Sequence, residues 1–241
     1  MIFRETVQPG IEDFDRSGRL SPQAALEIFE NIGSHHSDSA NDGVIEGSMN
    51  GITWILAEWR VEINRTPVYG EKLTISTWTY GKAPSSQVNR DYEIKDENGE
   101  TYIKASSKFV LFDLECGKIT KISEELFSRY KPESTSAFEN KTPKLKAPDK
   151  YTAEKNIRLR RTDIDFNGHL HNVTYLTFAL EAVPFEVYKN VPLKGFRINY
   201  KKSVSEDALL TLKCAENDGI YTVGIYNREE LCSIVQLDYS R

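Results

Sequence analysis

The chain has 241 residues, of which 39% are hydrophobic and 28% are charged, and its formal net charge is −5. These values are typical of a soluble globular protein with room for one large domain or two small ones. Because Lys and Arg do not cluster with aromatic residues over any long segment, the composition does not favour nucleic-acid binding. No apolar run approaches the roughly 18 residues that a membrane-spanning helix needs, and the first residues lack the apolar core of a signal peptide.

Three cysteines lie far apart in the chain, at Cys116, Cys214 and Cys232. Their odd number and the lack of a Cys-x-x-Cys spacing argue against a disulfide framework and against a zinc site. We interpret them as small buried apolar residues. Together with the composition, this predicts a cytoplasmic protein.

The first predicted helix begins after Ser21, a favourable N-cap residue, with Pro22 at the first helical position. Apolar residues then recur at three- and four-residue spacing, the pattern of one buried helix face: Ala25, Ile28, Phe29 and Ile32. His35 and His36 follow at the polar end of this helix, where a positive charge interacts favourably with the helix dipole.

After this helix the pattern changes to period two, which predicts strands with one buried face. The longest run is predicted to bury Ile55, Ala57, Trp59, Val61 and Ile63. Further strands are predicted over 73–80, 88–94 and 101–113, with a hairpin turn at 97–99. A short helix over 123–130 is predicted to close this half.

The second half repeats the same plan. A helix is predicted from Val173 to Val183, with Asn172 as its N-cap and Pro184 as its limit. Strands follow over 195–202, 208–216, 220–226 and 231–239, with a turn at 217–219. A helix followed by antiparallel strands in each half predicts an α+β fold. Between the halves, residues 131–150 have the Pro- and Lys-rich composition of a solvated linker. We therefore predict two domains, 1–140 and 141–241.

The two halves are related by an internal repeat. Residues 13–20 (DFDRSGRL) align with residues 163–170 (DIDFNGHL), and both aspartates, the glycine and the leucine are identical. A later match, of 60–65 with 197–202, has an offset of 137 residues instead of 150. The first half therefore carries about 13 additional residues between helix and strand, within 34–51.

The second copy of the repeat places a carboxylate, an amide and an imidazole at alternate positions, Asp165, Asn167 and His169, before a helix. Extended backbone projects alternate side chains to one side, and a helix N-terminus offers unpaired N–H groups and the positive end of a dipole. In the first copy, Ser17 and Arg19 replace the amide and the imidazole. The shared residues are therefore predicted to be structural, and the unique ones are candidates for acyl-transfer chemistry.

Calcium binding is an alternative interpretation, because Asp-x-Asp-x-Asn-Gly also begins the loop of an EF-hand. Such a loop needs a bidentate carboxylate at its twelfth position. That position is Ala24 in one copy and Thr174 in the other, so the sequence argues against calcium.

The segment Asp-x-Asn-x-His-x-x-Asn, followed by a tyrosine and an apolar helix over 173–184, resembles the acyl-acyl carrier protein thioesterases of plants and bacteria. The resemblance covers nearly the whole chain. It includes Trp54 with the strand that follows it, the stretch 67–78 ending in Thr77-Trp78, and residues 90–99.

This resemblance implies tandem hot-dog domains, each a long helix wrapped by an antiparallel β-sheet. It implies hydrolysis of the thioester of fatty acyl-acyl carrier protein, which releases a fatty acid and ends chain elongation. The family's catalytic trio falls on Asp165, Asn167 and His169. The reaction needs no metal or organic cofactor; acyl carrier protein is the expected partner, and a homodimer is compatible with the resemblance.

The resemblance also implies an acyl-chain pocket largely in the first half. The candidates for substrate binding are Trp54, Trp59, Trp78, Leu26 and Phe29, each of which has ordinary core packing as its alternative. Asn172 is a further candidate, because backbone N–H groups near 172–174 are predicted to hold the oxyanion.

One departure from the family concerns the segment after Tyr200-Lys201-Lys202. Plant members place an acidic residue and then a cysteine there, whereas this chain has Ser203 and Val204. This argues against a cysteine nucleophile and leaves a supporting acid to be assigned among Glu206, Asp207 and Glu181. Two other functions share the same residues: an acyl-CoA thioesterase of the hot-dog class, and a non-catalytic acyl-binding protein.

Overall fold

The architecture was analysed in a computed structural model, which describes residues 1–43, 47, 49–140 and 142–240. The chain divides into two units: unit 1 comprises Met1–Ala57 with Ile63–Lys141, and unit 2 comprises Glu58–Glu62 with Thr142–Arg241. Each unit contains an antiparallel sheet and a helix that begins directly after one copy of the repeated loop. The insertion predicted within 34–51 is described only in part, because residues 44–46 and 48 lie outside the described residues.

Unit 1 is built on an antiparallel sheet in the order β1-β3-β4-β5-β2, with a short strand β6 paired to β5. Helix α1 follows the first copy of the loop. The elements of unit 1 are β1 (Phe3–Val7), α1 (Pro22–Ser39), β2 (Ile52–Ile63, of which Glu58–Glu62 belongs to unit 2), β3 (Leu73–Tyr80), β4 (Gln87–Lys95), β5 (Thr101–Asp113), β6 (Lys118–Thr120) and α2 (Glu124–Arg129).

Helix α1 forms as predicted. The Ser21 side chain accepts a hydrogen bond from Ala24 N, and Pro22 occupies the first turn. The predicted face is buried at Ala25, Phe29 and Ile32, with Ile28 half-buried. The helix packs on the sheet through contacts such as that of Phe29 with Tyr92 of β4, whose ring centroids are 5.1 Å apart.

Two predictions for unit 1 are wrong in detail. Ile55 is exposed and Leu56 is buried, so the predicted alternation of β2 is reversed at its start and holds only from Trp59 and Val61 onward. Cys116 is exposed because it lies in the turn between β5 and β6, where its N–H donates to Asp113 Oδ1 at 2.7 Å. Cys214 and Cys232 are buried as predicted.

The segment predicted to be a solvated linker packs against the sheet of unit 1. Trp78 Nε1 donates to Thr135 O at 3.0 Å. The buried Asp91 accepts hydrogen bonds from Ser136 Oγ at 2.8 Å and from Ala137 N at 2.6 Å. Burial raises the pKa of the Asp91 carboxyl above its usual range, although these hydrogen bonds oppose the shift. The prediction of a solvated linker from its Lys and Pro content is therefore wrong for residues 135–137. The buried side chains of Trp78 and Asp91 hydrogen-bond the backbone of this segment.

Unit 2 repeats the plan of unit 1, with a sheet in the order β8-β11-β10-β9-β7. The segment Glu58–Glu62 of this unit pairs with β8. The elements of unit 2 are β7 (Ala153–Arg158), α3 (Asn172–Leu180), α4 (Phe185–Asn190), β8 (Gly195–Tyr200), β9 (Leu209–Asn217), β10 (Ile220–Asn227) and β11 (Glu230–Asp238). The predicted turn between β9 and β10 is confirmed, with positive φ at Asp218 (50°) and Gly219 (80°).

Helix α3 is shorter than predicted. It ends at Leu180 with Glu181 as the C-cap, and Val183, although buried, lies beyond the helix. Pro184 then precedes a further helix, α4, that the sequence analysis missed. A proline has no N–H to donate and disfavours helical backbone at the residue before it, so the chain turns here and starts a new helix.

Candidate active site

The loop over 163–171 is organised by the carboxylate of Asp165. Its Oδ1 accepts hydrogen bonds from the backbone N–H groups of Asn167 at 2.8 Å and His169 at 3.1 Å. The N–H of Asp165 also donates to the carbonyl oxygen of His169 at 2.8 Å, and the carbonyl oxygen of Asp165 accepts from the N–H of Gly168 at 3.0 Å. Gly168 has a φ of 75°, a left-handed conformation that glycine adopts without steric cost. The loop is therefore a closed turn with the carboxylate at its centre.

Asp163 connects this loop to the start of α3. Its side chain is buried, and its Oδ2 accepts from Arg160 N at 2.7 Å while its Oδ1 pairs with the Arg160 guanidinium, also at 2.7 Å. Its carbonyl accepts from His171 N at 2.9 Å. His171, with non-helical backbone (φ −58°, ψ 137°), is the N-cap residue without a side-chain cap, and Asn172 is the first helical residue. The prediction of Asn172 as the cap is therefore wrong by one position.

The first copy of the loop has the same backbone hydrogen bonds, and Ser17 Oγ adds one to Asp15 Oδ1 at 2.6 Å. Asp15 Oδ1 accepts from Ser17 N at 2.8 Å and from Arg19 N at 3.1 Å, and Asp13 O accepts from Ser21 N at 2.9 Å. Gly18 has a φ of 72°. Because the two loops agree in each backbone bond to within about a tenth of an ångström, the shared aspartates and glycine form a scaffold that does not depend on Asn167 or His169.

The side chains unique to unit 2 are accessible. Asn167 and His169 are exposed, and Phe166, which lies between Asp165 and Asn167, is 80% exposed. The contacts that join the predicted trio run from the carboxylate to backbone N–H groups, and the described residues contain no side-chain hydrogen bond among the three. An exposed imidazole can be reached by substrate, and histidine is the side chain that exchanges protons near neutral pH.

The segment after β8 lies beside this loop. Leu170 N donates to Val204 O at 2.8 Å, and His169 forms an isolated antiparallel bridge with Ser205. Glu206 and Asp207 therefore follow directly after a residue paired with His169, and both are exposed. Glu181 is at the opposite end of α3, about 13 Å along the helix axis, where it pairs with Lys155 at 3.3 Å. Of the three candidate acids, Glu206 and Asp207 are near the loop.

Two tyrosines beside the loop were missed by the sequence analysis as site residues. Tyr200 of β8 donates its hydroxyl to Asn172 O at 3.0 Å, and Tyr175 of α3 donates to Lys202 O at 3.4 Å. Their rings meet edge to face with centroids 5.3 Å apart. Comparison of the two halves of the repeat could have found these tyrosines, because unit 1 has Ala25 and Ile63 at the equivalent positions.

The residues predicted to bind the acyl chain in unit 1 are packed in its interior. Leu26 and Phe29 are fully buried. The indole N–H groups of Trp78 and Trp54 donate to Thr135 O at 3.0 Å and to Asp42 Oδ2 at 2.8 Å. Trp59 belongs to the segment of unit 2 that pairs with β8, and it is 2% exposed. Their assignment to substrate binding stays a prediction.

A cavity of about 140 Å³ lies in unit 1 at the connection between β3 and β4, lined in part by Val88, Ile122 and Phe127. None of the predicted binding residues lines it. Trp54 nevertheless packs, as Val88 does, against the buried apolar cluster that contains Ile122 and Phe127.

His36 is not the exposed dipole-facing residue that the sequence predicted. It is buried, with its ring stacked on Phe3 and edge-to-face against Tyr130, at centroid distances of 5.3 Å in both cases. Burial, followed by the nearby Arg90 and the N-terminal ammonium, lowers the pKa of His36 from 6.5 to about 3. In the described part of the chain, neither ring nitrogen has a hydrogen-bond partner. His36 is therefore a neutral aromatic core residue.

A search for groups of three or more His, Cys, Asp or Glu side chains able to hold a metal finds none in the described residues. Of the helices in the same residues, none combines the length and the apolar character that a bilayer crossing requires.

Comparison with known proteins follows the division of the chain. Residues 1–130 match the acyl-ACP thioesterase N-terminal domain, and residues 146–235 match the acyl-ACP thioesterase C-terminal domain. The chain belongs to the acyl-ACP thioesterase family. The family predicted from the sequence is therefore confirmed.

The relatives with curated names are plant enzymes. The chain is 30% identical over 223 residues to a chloroplastic palmitoyl-acyl carrier protein thioesterase of Cuphea hookeriana, covering 87% of this chain and 54% of that protein. It is 26% identical over 203 residues to chloroplastic oleoyl-acyl carrier protein thioesterase 1 of Arabidopsis thaliana, covering 77% of this chain and 56% of that protein. The chain spans about half the length of the curated relatives it matches.

Solved structures show the same fold over nearly the full chain. An acyl-ACP thioesterase from Bacteroides thetaiotaomicron has a TM-score of 0.87 at 19% identity and covers 98% of this chain and 97% of its own. The 12:0-ACP thioesterase from Umbellularia californica has a TM-score of 0.87 at 18% identity, with 98% and 96% covered. The predicted tandem hot-dog fold is confirmed.

Proposed function

We propose that this protein hydrolyses the thioester of fatty acyl-acyl carrier protein, releasing the fatty acid and ending chain elongation. One observation carries the proposal: within a family of acyl-ACP thioesterases, two loops share one scaffold, and only the loop of unit 2 presents an amide and an imidazole. The relatives' names supply the substrate class, since they are named for oleoyl- and palmitoyl-acyl carrier protein.

In the proposed reaction, His169 takes a proton from a water molecule as that water attacks the thioester carbonyl. The N–H groups at the start of α3 hold the negative charge on the carbonyl oxygen. When the carbon–sulfur bond breaks, His169 returns the proton to the departing thiolate, so the products are the fatty acid and the free thiol of the carrier arm. Asn167 orients the thioester through its amide. This chain supplies every group in the scheme without a cofactor.

Asp165 has two routes in this scheme. In the first it polarises the attacking water, and in the second it attacks the carbonyl itself and forms an acyl-enzyme anhydride that water then hydrolyses. Label on the Asp165 carboxyl after a single turnover in H₂¹⁸O identifies the second route; hydrolysis of the anhydride at its acyl carbon would leave the label in the fatty acid, as the first route does. Attack by Asp165 followed by hydrolysis at the aspartyl carbon places the label on the enzyme, whereas direct attack by water places it only in the fatty acid.

The test of function is a hydrolysis assay with acyl-acyl carrier proteins of several chain lengths, run beside the corresponding acyl-CoA thioesters. We expect release of fatty acid with the carrier-protein substrates at a higher kcat/KM. Preferential turnover of acyl-CoA would identify the acyl-CoA thioesterase alternative. Binding of fatty acid without turnover of either thioester would identify the non-catalytic alternative.

The partner in this proposal is acyl carrier protein bearing the acyl-phosphopantetheine arm. A cytoplasmic location and assembly as a homodimer stay predictions. Size-exclusion chromatography with light scattering measures the second of these directly.

A further inference from the structure

The repeated scaffold separates the residues that fold the loop from those that serve only the second copy. Tyr175 and Tyr200 belong to the second group, since Ala25 and Ile63 occupy their positions in unit 1. Offsets of 150 residues for the helices and 137 for the strands define these equivalences. The second offset is visible in the structure, because Leu20 N donates to Pro67 O and Leu170 N donates to Val204 O, both at 2.8 Å.

The loop of unit 1 is tied to the segment after β2 without a tyrosine at the position of Tyr200. Tyr69 contacts it instead, with its N–H donating to Gly18 O at 2.9 Å and its ring packed edge to face on Phe14. Arg19 bridges to Val68 just as His169 bridges to Ser205, and the two loops share the same backbone N–H donors to their aspartates. The loop of unit 1 therefore folds without a hydroxyl at the position of Tyr200, which Ile63 occupies there. The Tyr200 hydroxyl makes an additional bond that unit 1 lacks, to the carbonyl of Asn172 at 3.0 Å.

This bond acts on the helix N-terminus through the geometry of the peptide group. The carbonyl of Asn172 and the N–H of Val173 belong to one planar unit and point in opposite directions. Holding the carbonyl oxygen therefore holds the direction of the Val173 N–H. A donor on the carbonyl also polarises the peptide and makes its N–H a stronger donor. This N–H is one of those that a helix leaves unpaired at its start.

We propose that Tyr200 is a positioning residue that orients and polarises the Val173 N–H as an oxyanion donor for thioester hydrolysis. Tyr175 supports it from the other side: its buried ring packs against Tyr200 and its hydroxyl donates to Lys202 O. The inference rests on the proposed function, because an oxyanion donor has meaning only if acyl transfer takes place in unit 2.

The test compares Tyr200→Phe with the wild-type protein on the acyl-acyl carrier protein that the wild-type protein hydrolyses fastest. We expect kcat to fall about tenfold with KM within twofold, because the donor acts on the charge that develops in the transition state. The pH dependence should keep its shape, since Tyr200 transfers no proton. Tyr175→Phe should have a smaller effect in the same direction, because its hydrogen bond is the longer one.

Tyr151→Phe is the matched control. It removes a hydroxyl in the same unit that, among the described residues, bonds to the side chain of Tyr226 at 3.0 Å, and it should leave kcat unchanged. Tyr200→Ile, the residue of unit 1, is the second variant, and it should fold and lose activity as Tyr200→Phe does.

Four results would overturn the inference: an unchanged kcat for Tyr200→Phe, a rise in KM alone, a lost limb of the pH profile, or failure of both Tyr200 variants to fold. The last result would mean that the hydroxyl is needed for the structure itself. A wild-type protein without hydrolytic activity would instead contradict the proposed function, so the two failures are distinguishable.

Discussion

The two copies of the repeated loop differ in only a few side chains, although they share one backbone and one hydrogen-bond pattern. In unit 1 the positions after Asp15 hold Ser17 and Arg19, and in unit 2 the positions after Asp165 hold Asn167 and His169. Both aspartates accept the same two backbone N–H groups. The carboxylate therefore holds the loop backbone in both copies, whereas the side chains of Asn167 and His169 make none of the hydrogen bonds to Asp165, which come from their backbone N–H groups.

The largest expected effect is that of His169→Ala. Removing the general base and acid should lower kcat at least about a hundredfold, while the free energy of unfolding stays within about 0.5 kcal/mol because the side chain is exposed. The assay is hydrolysis of acyl-acyl carrier protein, with urea unfolding as the measure of stability. Arg19→Ala, at the equivalent position of unit 1, is the control and should retain full activity. Equal losses in both variants would contradict the division of roles.

Asn167→Ser exchanges the amide for the residue that the first copy contains. We expect kcat to fall by about 10- to 100-fold, since one oriented polar contact to the reacting group is lost. The loop itself should persist, because Ser17 occupies the same position in unit 1 with the same backbone bond. Ser17→Asn is the reciprocal control and should leave kcat unchanged. Near-normal hydrolysis by Asn167→Ser would show that the Asn167 amide has no catalytic role.

The two helices differ as well, because α1 has the buried His36 in its last turn and α3 contains no histidine. The unfolded chain binds a proton at His36 near pH 6.5, whereas the folded chain binds it only near pH 3. Stability from this group is therefore complete above pH 6.5 and falls on acidification by about 1.4 kcal/mol per pH unit.

His36→Phe, which keeps a ring between Phe3 and Tyr130, should flatten this slope between pH 6.5 and 5 in urea unfolding experiments. His35→Phe is the control, because His35 is an exposed neighbour paired with Glu5 at 2.9 Å. An unchanged slope in His36→Phe would show that His36 is protonated in the folded protein.

Replacing the shared aspartates measures how much each carboxylate contributes to the free energy of unfolding. Asp15→Ala and Asp165→Ala each remove an acceptor of two backbone N–H groups and should each lower the free energy of unfolding by about 1–2 kcal/mol. The loss should be the larger for Asp15→Ala, because Asp15 also accepts from Ser17 Oγ at 2.6 Å. Only Asp165→Ala should also lose activity. A larger loss of stability for Asp165→Ala than for Asp15→Ala would contradict this comparison.

The smallest expected effect is that of Gly18→Ala and Gly168→Ala. Nothing lies within 4 Å of a Cβ built at either position, so the cost is that of the positive φ alone, about 1 kcal/mol. Asn at either position should cost less than Ala, because Asn tolerates left-handed backbone. Thermal unfolding of the four variants provides the comparison.

Local patterns predicted most of the elements. The cap at Ser21, the hairpin turns at 97–99 and 217–219, and the strands over 73–80 and 101–113 depend on short-range sterics and on alternation, and each is confirmed. The cap of α3 was missed by one residue, because the non-helical backbone of the cap lies at His171. The alignment of His171 with Ser21 contained that information.

Features that depend on contacts distant in sequence were not predictable. Residues 135–137 have linker composition, yet Trp78 and the buried Asp91 bind their backbone across more than 40 residues. His36 has a polar neighbourhood in sequence and an aromatic one in space. In each case the composition of the local sequence is polar, but it does not show which residues distant in sequence contact the segment in the folded protein.

By itself, the sequence determined the α+β plan, the duplication, the family, and the loop that holds Asp165, Asn167 and His169. These follow from periodicity, turn chemistry and identity between aligned positions, all of which are properties of neighbouring residues. Only the tertiary structure decided that Asp165 bonds the loop backbone, that Glu181 lies at the far end of α3 from the loop, and that Tyr200 holds the start of that helix. These depend on where separate strands and helices meet, because hydrogen bonds and burial act over a few ångströms in space irrespective of distance along the chain.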